Sequence, residues 1–111
     1  MLIMKNRVIY EKSSNSLLRK SGMFYRRRIS LAGVCEIFSI NRDAITHDEV
    51  MICFLLENGV KFFISEFDDG FAECVEILAE QFPGIQLWDS NLPQNAFTHA
   101  SKILWKPDSY P

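Results

Sequence analysis

Residues 49–65 read EVMICFLLENGVKFFIS, and this stretch decides the fold. An unbroken apolar run, 50–56, gives way to Glu57-Asn58-Gly59, and Val60-Lys61-Phe62-Phe63-Ile64-Ser65 follows. β-Branched and aromatic side chains favour a pleated sheet. Asn-Gly suits the two positive φ angles of a type I′ turn, so the segment predicts a tight antiparallel hairpin. Its strands are apolar nearly throughout, which places them centrally in the sheet.

Immediately downstream the period changes. Phe71, Cys74, Val75, Leu78, Ala79 and Phe82 recur at i, i+3, i+4, i+7, i+8 and i+11, one apolar helical stripe. Asp68-Asp69-Gly70 offers an N-cap with acids placed well against the helix dipole, and Pro83-Gly84 offers a stop. A helix is expected over about 68–82, with Glu73, Glu76 and Glu80 on the side away from the stripe.

Working upstream, residues 7–11, 17–20, 23–29 and 34–40 read as strands. The turn signals between them are Ser13-Ser14-Asn15-Ser16, Ser21-Gly22, Leu31-Ala32-Gly33 and Asn41-Arg42-Asp43. In the tail, 85–88 alternates like a short strand. Residues 92–106 fit a helix, while 98–105 fit a strand equally well. Strands followed by a helix indicate an α+β fold. The expectation is an antiparallel meandering sheet of about 5–7 strands over residues 6–66, one amphipathic helix at 68–82, and a tail element over 85–111. All 111 residues form a single domain in this reading.

Composition supports a folded globule: 48% of residues are apolar and 23% charged. The longest apolar run is far short of the roughly 20 residues of a membrane helix. The opening MLIMK is too short for a signal-peptide core, so a cytoplasmic chain without a membrane span is expected. Three cysteines, Cys35, Cys53 and Cys74, stand 18 and 21 residues apart among apolar neighbours. They read as reduced core thiols, without a disulfide framework or zinc site.

Signatures of catalysis are missing from the sequence. There is no G-x-S-x-G, no G-x-x-x-x-G-K-[ST] and no G-x-G-x-x-G. His47 and His99 lack metal spacing, and Asp68-Asp69 reads as a helix cap before it reads as a cation site. No catalytic, metal or cofactor residue is assigned. An enzyme using a Cys–His or His–Asp pair would need one of these histidines within hydrogen-bond reach of a partner.

Charge is separated along the chain although the net value is −2. Residues 1–42 carry nine Lys/Arg against two acids, net +7; residues 43–111 carry three Lys against twelve acids, net −9. Basic strands could pair with acidic ones internally, or the two signs could face partners. Arg26-Arg27-Arg28 is the sharpest basic feature. On a strand, Arg26 and Arg28 share one face and Arg27 takes the other. Such a run suits a solvated or charge-guarded edge strand, or a site for an acidic protein partner, nucleic acid, an anionic headgroup or phosphate. A pI near 5.6 argues against general nucleic-acid binding. Trp88 and Trp105 read as core plugs or, alternatively, as interface anchors.

The succession of Arg27-Arg28-Ile29-Ser30-Leu31, then 34–40, then the hairpin, then 71–82 resembles the small bacterial pleckstrin-homology-like domains. The resemblance covers residues 6–82 and implies a meandering sheet closed by one C-terminal helix. It rests on patterning and carries over no ligand residue. After Pro83-Gly84 the chain departs from that plan. In size, acidity and lack of catalytic motifs the chain is also similar, as a class, to small bacterial immunity proteins. That similarity implies a non-enzymatic protein-binding domain, its partner a basic toxin domain met by Glu73, Glu76 and Glu80. The alternative is a pleckstrin-homology-like module holding an anionic headgroup or phosphate through Arg26 and Arg28. Homo-oligomerisation is open to either.

Overall fold

The computed structural model describes residues 5–43, 48–89 and 100–107. Among these residues, seven strands form two antiparallel sheets. Strands β1 (Arg7–Glu11), β2 (Ser16–Ser21) and β3 (Tyr25–Ser30) make a three-stranded meander. Strands β4 (Val34–Asp43), β5 (Asp48–Leu56), β6 (Lys61–Ser65) and β7 (Ala100–Trp105) make the second sheet, ordered β6-β5-β4-β7. Among the described residues one α-helix, α1 (Phe71–Gln81), lies between β6 and β7 in the chain. The α+β expectation with one helix therefore holds, as two sheets and not one.

The inner faces of both sheets and the helix stripe share one core. Val8, Leu17 and Ile29 come from the first sheet, Ile37, Ile52, Phe54, Phe62 and Ile64 from the second, and Phe71, Cys74, Val75 and Leu78 from α1. Each large side chain so buried is worth about 1.5–3 kcal/mol. Trp88 stands edge-on to Phe71 at 4.9 Å between centroids, and Trp105 edge-on to Phe82 at 4.7 Å. Both tryptophans thus plug the core edge, as their sequence reading expects.

Several boundaries differ from expectation. Residues 57–59 do not form a type I′ turn, because Asn15 alone among the described non-glycine residues has positive φ. Instead Gly59 N–H donates to Leu56 O and Leu56 N–H to Val60 O, each at 2.9 Å. With Gly59 at φ +87° this is a three-residue loop, a type I turn with a left-handed glycine. Residues 41–43 continue β4 instead of turning, because they pair with β5 residues 48–50. Residues 22–24 form a turn, so β3 starts at Tyr25 and not Met23. The segment Ile85–Leu87 is a 3₁₀ turn, not a strand.

The helix begins three residues later than 68, since Asp68 does not cap it. Its carboxylate accepts the Ser65 N–H at 2.9 Å and pairs with Arg19. The N-cap is Gly70, which makes no side-chain cap bond. A glycine is required there: φ is +85°, and a Cβ would lie 2.5 Å from Val8 O. The strand option wins in the tail over residues 100–105, where β7 pairs with β4; residues 92–99 lie outside the described residues. A register shift at Ile37/Phe38 gives β7 one extra residue. That bulge lets both Leu104 and Trp105 turn to the core.

Candidate functional site

A broad, open hollow lies between α1 and β1. Two adjoining hollows of about 710 and 560 Å³ share Tyr10 and Ile77, forming one groove along the helix. Asp69 positions the helix by a short parallel bridge, its carbonyl taking the Val8 N–H at 2.9 Å. The Cys74 thiol reaches Val8 O at 3.6 Å, so the helix closes the edge of β1. The i, i+3, i+4 stripe faces inward, which leaves Glu73, Glu76 and Glu80 exposed. Ile77 projects among them, 48% exposed. None of the three glutamates forms an ion pair among the described residues. Glu73 and Glu80 line the helix bank of the groove, and Arg7 and Lys12 line the β1 bank. The groove is therefore apolar along its floor and opposite in sign across its width.

A second surface is the outward face of the three-stranded sheet. Antiparallel register sets Arg7, Lys20 and Arg26 directly opposite one another across β1, β2 and β3. Three like charges in one row repel. The next row is Ile9, Leu18 and Arg28. Arg26 and Arg28 do share this face, but Arg28 is engaged: its Nε lies 2.6 Å and its Nη2 3.2 Å from the two Glu11 carboxylate oxygens. That hydrogen-bonded guanidinium holds the Glu11 carboxyl below its ordinary value, and the carboxylate in turn raises Arg28. Arg26 acts with Arg7 and Lys20, which sequence reading did not single out. Just beyond the row, the turn exposes Met23 (73%), Phe24 (92%) and Tyr25 (60%). Arg27 takes the opposite face, its guanidinium 5.6 Å from the Phe62 ring centre. β3 is an edge strand, as the charge-guarded reading of 26–28 expects.

The thiols are distributed less uniformly than expected. Cys53 and Cys74 are buried, but Cys35 is half-buried. Burial pushes the Cys53 thiol up to about 11 and raises Cys74 as well. His47 and His99 lie outside the described residues. Among the described residues no group of three His, Cys, Asp or Glu could hold a metal, and no helix is long and apolar enough to cross a membrane. No protein-family profile, curated protein or solved structure matches the chain.

Proposed function

We propose that this chain is a non-enzymatic, cytoplasmic protein-binding domain whose α1 face receives a basic partner. Its most concrete form is an immunity protein that neutralises a toxin by covering a basic active site. The observation that carries this reading is the groove beside α1. It combines an exposed apolar anchor point, Ile77, with Glu73 and Glu80 on the helix bank. Glu76 stands exposed on the same helix, and none of the three is in an ion pair among the described residues. An apolar centre with a charged rim is the usual anatomy of a protein interface. The rim carboxylates steer a cationic partner, and the Arg7–Lys12 bank fixes its orientation. The test uses the wild type and a Glu73→Lys/Glu76→Lys/Glu80→Lys variant as paired baits in lysate of the native host. A basic protein held by the first and lost from the second supports the reading. A partner held equally by both removes the helix face from consideration.

The Arg7–Lys20–Arg26 row favours a second reading, a module for an anionic headgroup or phosphate. Three cations in one row behind an exposed Met-Phe-Tyr tip suit an acidic lipid surface. Flotation with phosphatidylserine vesicles tests it. Salt-sensitive binding that Arg26→Glu abolishes supports the module; absence of binding at low salt sinks it.

A further inference from the structure

The inner face of the three-stranded sheet is apolar at Val8, Leu17 and Ile29, and changes character where β2 and β3 approach their shared turn. There the register sets Arg19 opposite Arg27 and, next on the same face, Ser21 opposite Tyr25. These four residues, with Phe62 and Phe63 of β6, line a hollow of about 90 Å³. The hollow is separate from the groove beside α1, and it lies on the opposite face of the sheet from the Arg7–Lys20–Arg26 row.

Two guanidinium groups facing each other across a strand pair repel. Arg19 has a partial answer in Asp68, which engages Nε and Nη2 and also accepts the Ser65 N–H. That leaves Nη1 without a carboxylate. Arg27 forms no ion pair among the described residues. Its guanidinium stands 5.6 Å from the Phe62 ring centre, an attraction that uses up none of its five N–H donors. No Asp or Glu lines the hollow. Residues 19–28 hold five cations and no acid, and only Arg19 and Arg28 of these are in ion pairs among the described residues.

We infer that this hollow binds one tetrahedral oxyanion, the phosphoryl group of a phosphomonoester. The charge there is positive and incompletely answered. The donors suit the ligand: arginine forks match phosphate oxygens two at a time, and the Ser21 and Tyr25 hydroxyls can donate to those that remain. The Phe62 and Phe63 walls keep water off one side, which strengthens such bonds. Size sets the limit. About 90 Å³ is the liquid space of roughly three waters, room for one phosphoryl group and little more. The rest of the ligand stays outside the mouth, beside Tyr25, which is 60% exposed.

The test is a titration of the ¹⁵N-labelled chain with inorganic phosphate, the ionic strength held constant with chloride. Saturable amide shifts are expected at residues 19–21, 25–27 and 62–63, with a dissociation constant of about 1 mM or lower. Arg27→Gln, at an exposed position, should weaken binding at least about tenfold. Arg27→Lys keeps the charge without the fork and should fall between the two. Lys61→Gln removes the same charge next to Phe62, from an exposed side chain that does not line the hollow, and should change binding less than about twofold. The amide spectrum without phosphate reports whether each variant is folded. Vesicles of phosphatidic acid and of phosphatidylserine at equal charge separate two sources of the same group. A preference for phosphatidic acid that Arg27→Gln removes places the phosphomonoester on a lipid. Phosphate binding without that preference places it on a soluble molecule. No saturable shift up to about 20 mM phosphate, well above that dissociation constant, overturns the inference. Equal weakening by Arg27→Gln and Lys61→Gln also overturns it, since a general positive field would then suffice.

Discussion

Replacing Asp68 by alanine tests how the β6–α1 connection is held. The Asp68 side chain is 2% exposed and accepts from two donors. Oδ2 takes the Ser65 N–H at 2.9 Å, and Oδ1 takes Arg19 Nη2 at 3.0 Å. Arg19 Nε also lies 2.9 Å from Oδ2, close enough to attract but too poorly aligned for a hydrogen bond. Alanine leaves the buried Ser65 amide unpaired, at about 1–3 kcal/mol. It also removes the counter-ion of Arg19, whose side chain is 20% exposed. Breaking a fully buried pair costs about 3–5 kcal/mol. Arg19 keeps some water, so its share falls near the bottom of that range, and the whole change should cost about 3–4 kcal/mol. Asp68→Asn offers one acceptor to two donors and turns an NH₂ group on the other, so about 2 kcal/mol is expected. Urea unfolding of the wild type, Asp68→Ala, Asp68→Asn, Arg19→Ala and the Arg19→Ala/Asp68→Ala double variant measures these terms. A loss under about 1 kcal/mol for Asp68→Ala, or zero coupling in the cycle, refutes the reasoning.

The thiols should separate by burial: an aromatic disulfide reagent at pH 8 should modify Cys35 first, and Cys53 and Cys74 only on unfolding. Cys53 is raised from its ordinary 9.0 to about 11, so the unfolded chain loses its proton first. Its contribution to stability is then full below about pH 9 and lost as pH rises toward 11, visible as a falling urea midpoint. Equal reactivity of all three thiols would count against this packing. Gly84→Ala should destabilise by about 3 kcal/mol or more, against about 1 kcal/mol for Gly22→Ala. At Gly84, φ is +111° and a Cβ would meet Leu104 O at 2.3 Å, whereas at Gly22, φ +68°, it meets nothing. Similar losses at both sites would exclude the close approach to β7. The Glu11 carboxyl, held low by the Arg28 hydrogen bond, supports the fold above the ordinary carboxylate range and loses that support as pH falls through its own lowered value. In an NMR titration Arg28→Gln should return it to the ordinary value; an unmoved titration rules out the pairing.

The parts of this fold that were legible in sequence are those fixed by local periodicity. The stripe from Phe71 to Leu78 announces α1, because a 3.6-residue repeat has no other use for that spacing. The β5–β6 hairpin is legible from its two apolar runs, but its turn is not. Asn-Gly serves a type I′ turn and equally the end of a type I turn with a left-handed glycine, and register decides between them. β7 is illegible for a related reason. Its residues alternate weakly, and its conformation comes from pairing with β4 through a bulge, about 60 residues back along the chain. The cation row was missed because Arg7, Lys20 and Arg26 meet only once two turn lengths are known. The acidic helix face needed no such knowledge, since i, i+3 and i+7 spacing places Glu73, Glu76 and Glu80 together. The near-continuous apolarity of the hairpin strands reads as a central place in the sheet for both; β5 is central, but β6 ends the order β6-β5-β4-β7. Its apolar side chains are called for by the core it packs on and not by two flanking strands.

The charge split is neither wholly internal nor wholly displayed. Lys5–Asp69 and Arg19–Asp68 join the basic segment to the acidic one, and both pairs anchor the connection entering α1. Part of the remaining charge lies on two surfaces of opposite sign, the Arg7–Lys20–Arg26 row and the α1 glutamates. These surfaces meet at β1, where Arg7 belongs to both: it ends the row and lines the groove opposite Glu73. Arg7→Glu therefore acts on both at once, in opposite directions. It removes a cation from the row, so binding to phosphatidylserine vesicles should weaken. It turns the β1 bank acidic, so capture of a basic protein by the groove should strengthen. Arg7 is exposed and pairs with β2 and Asp69 through its backbone, so the substitution leaves the fold intact. Loss of structure would weaken both kinds of binding together. Responses of opposite sign cannot come from unfolding, and responses of the same sign from a variant whose far-UV spectrum matches the wild type would mean that the two surfaces do not meet at Arg7.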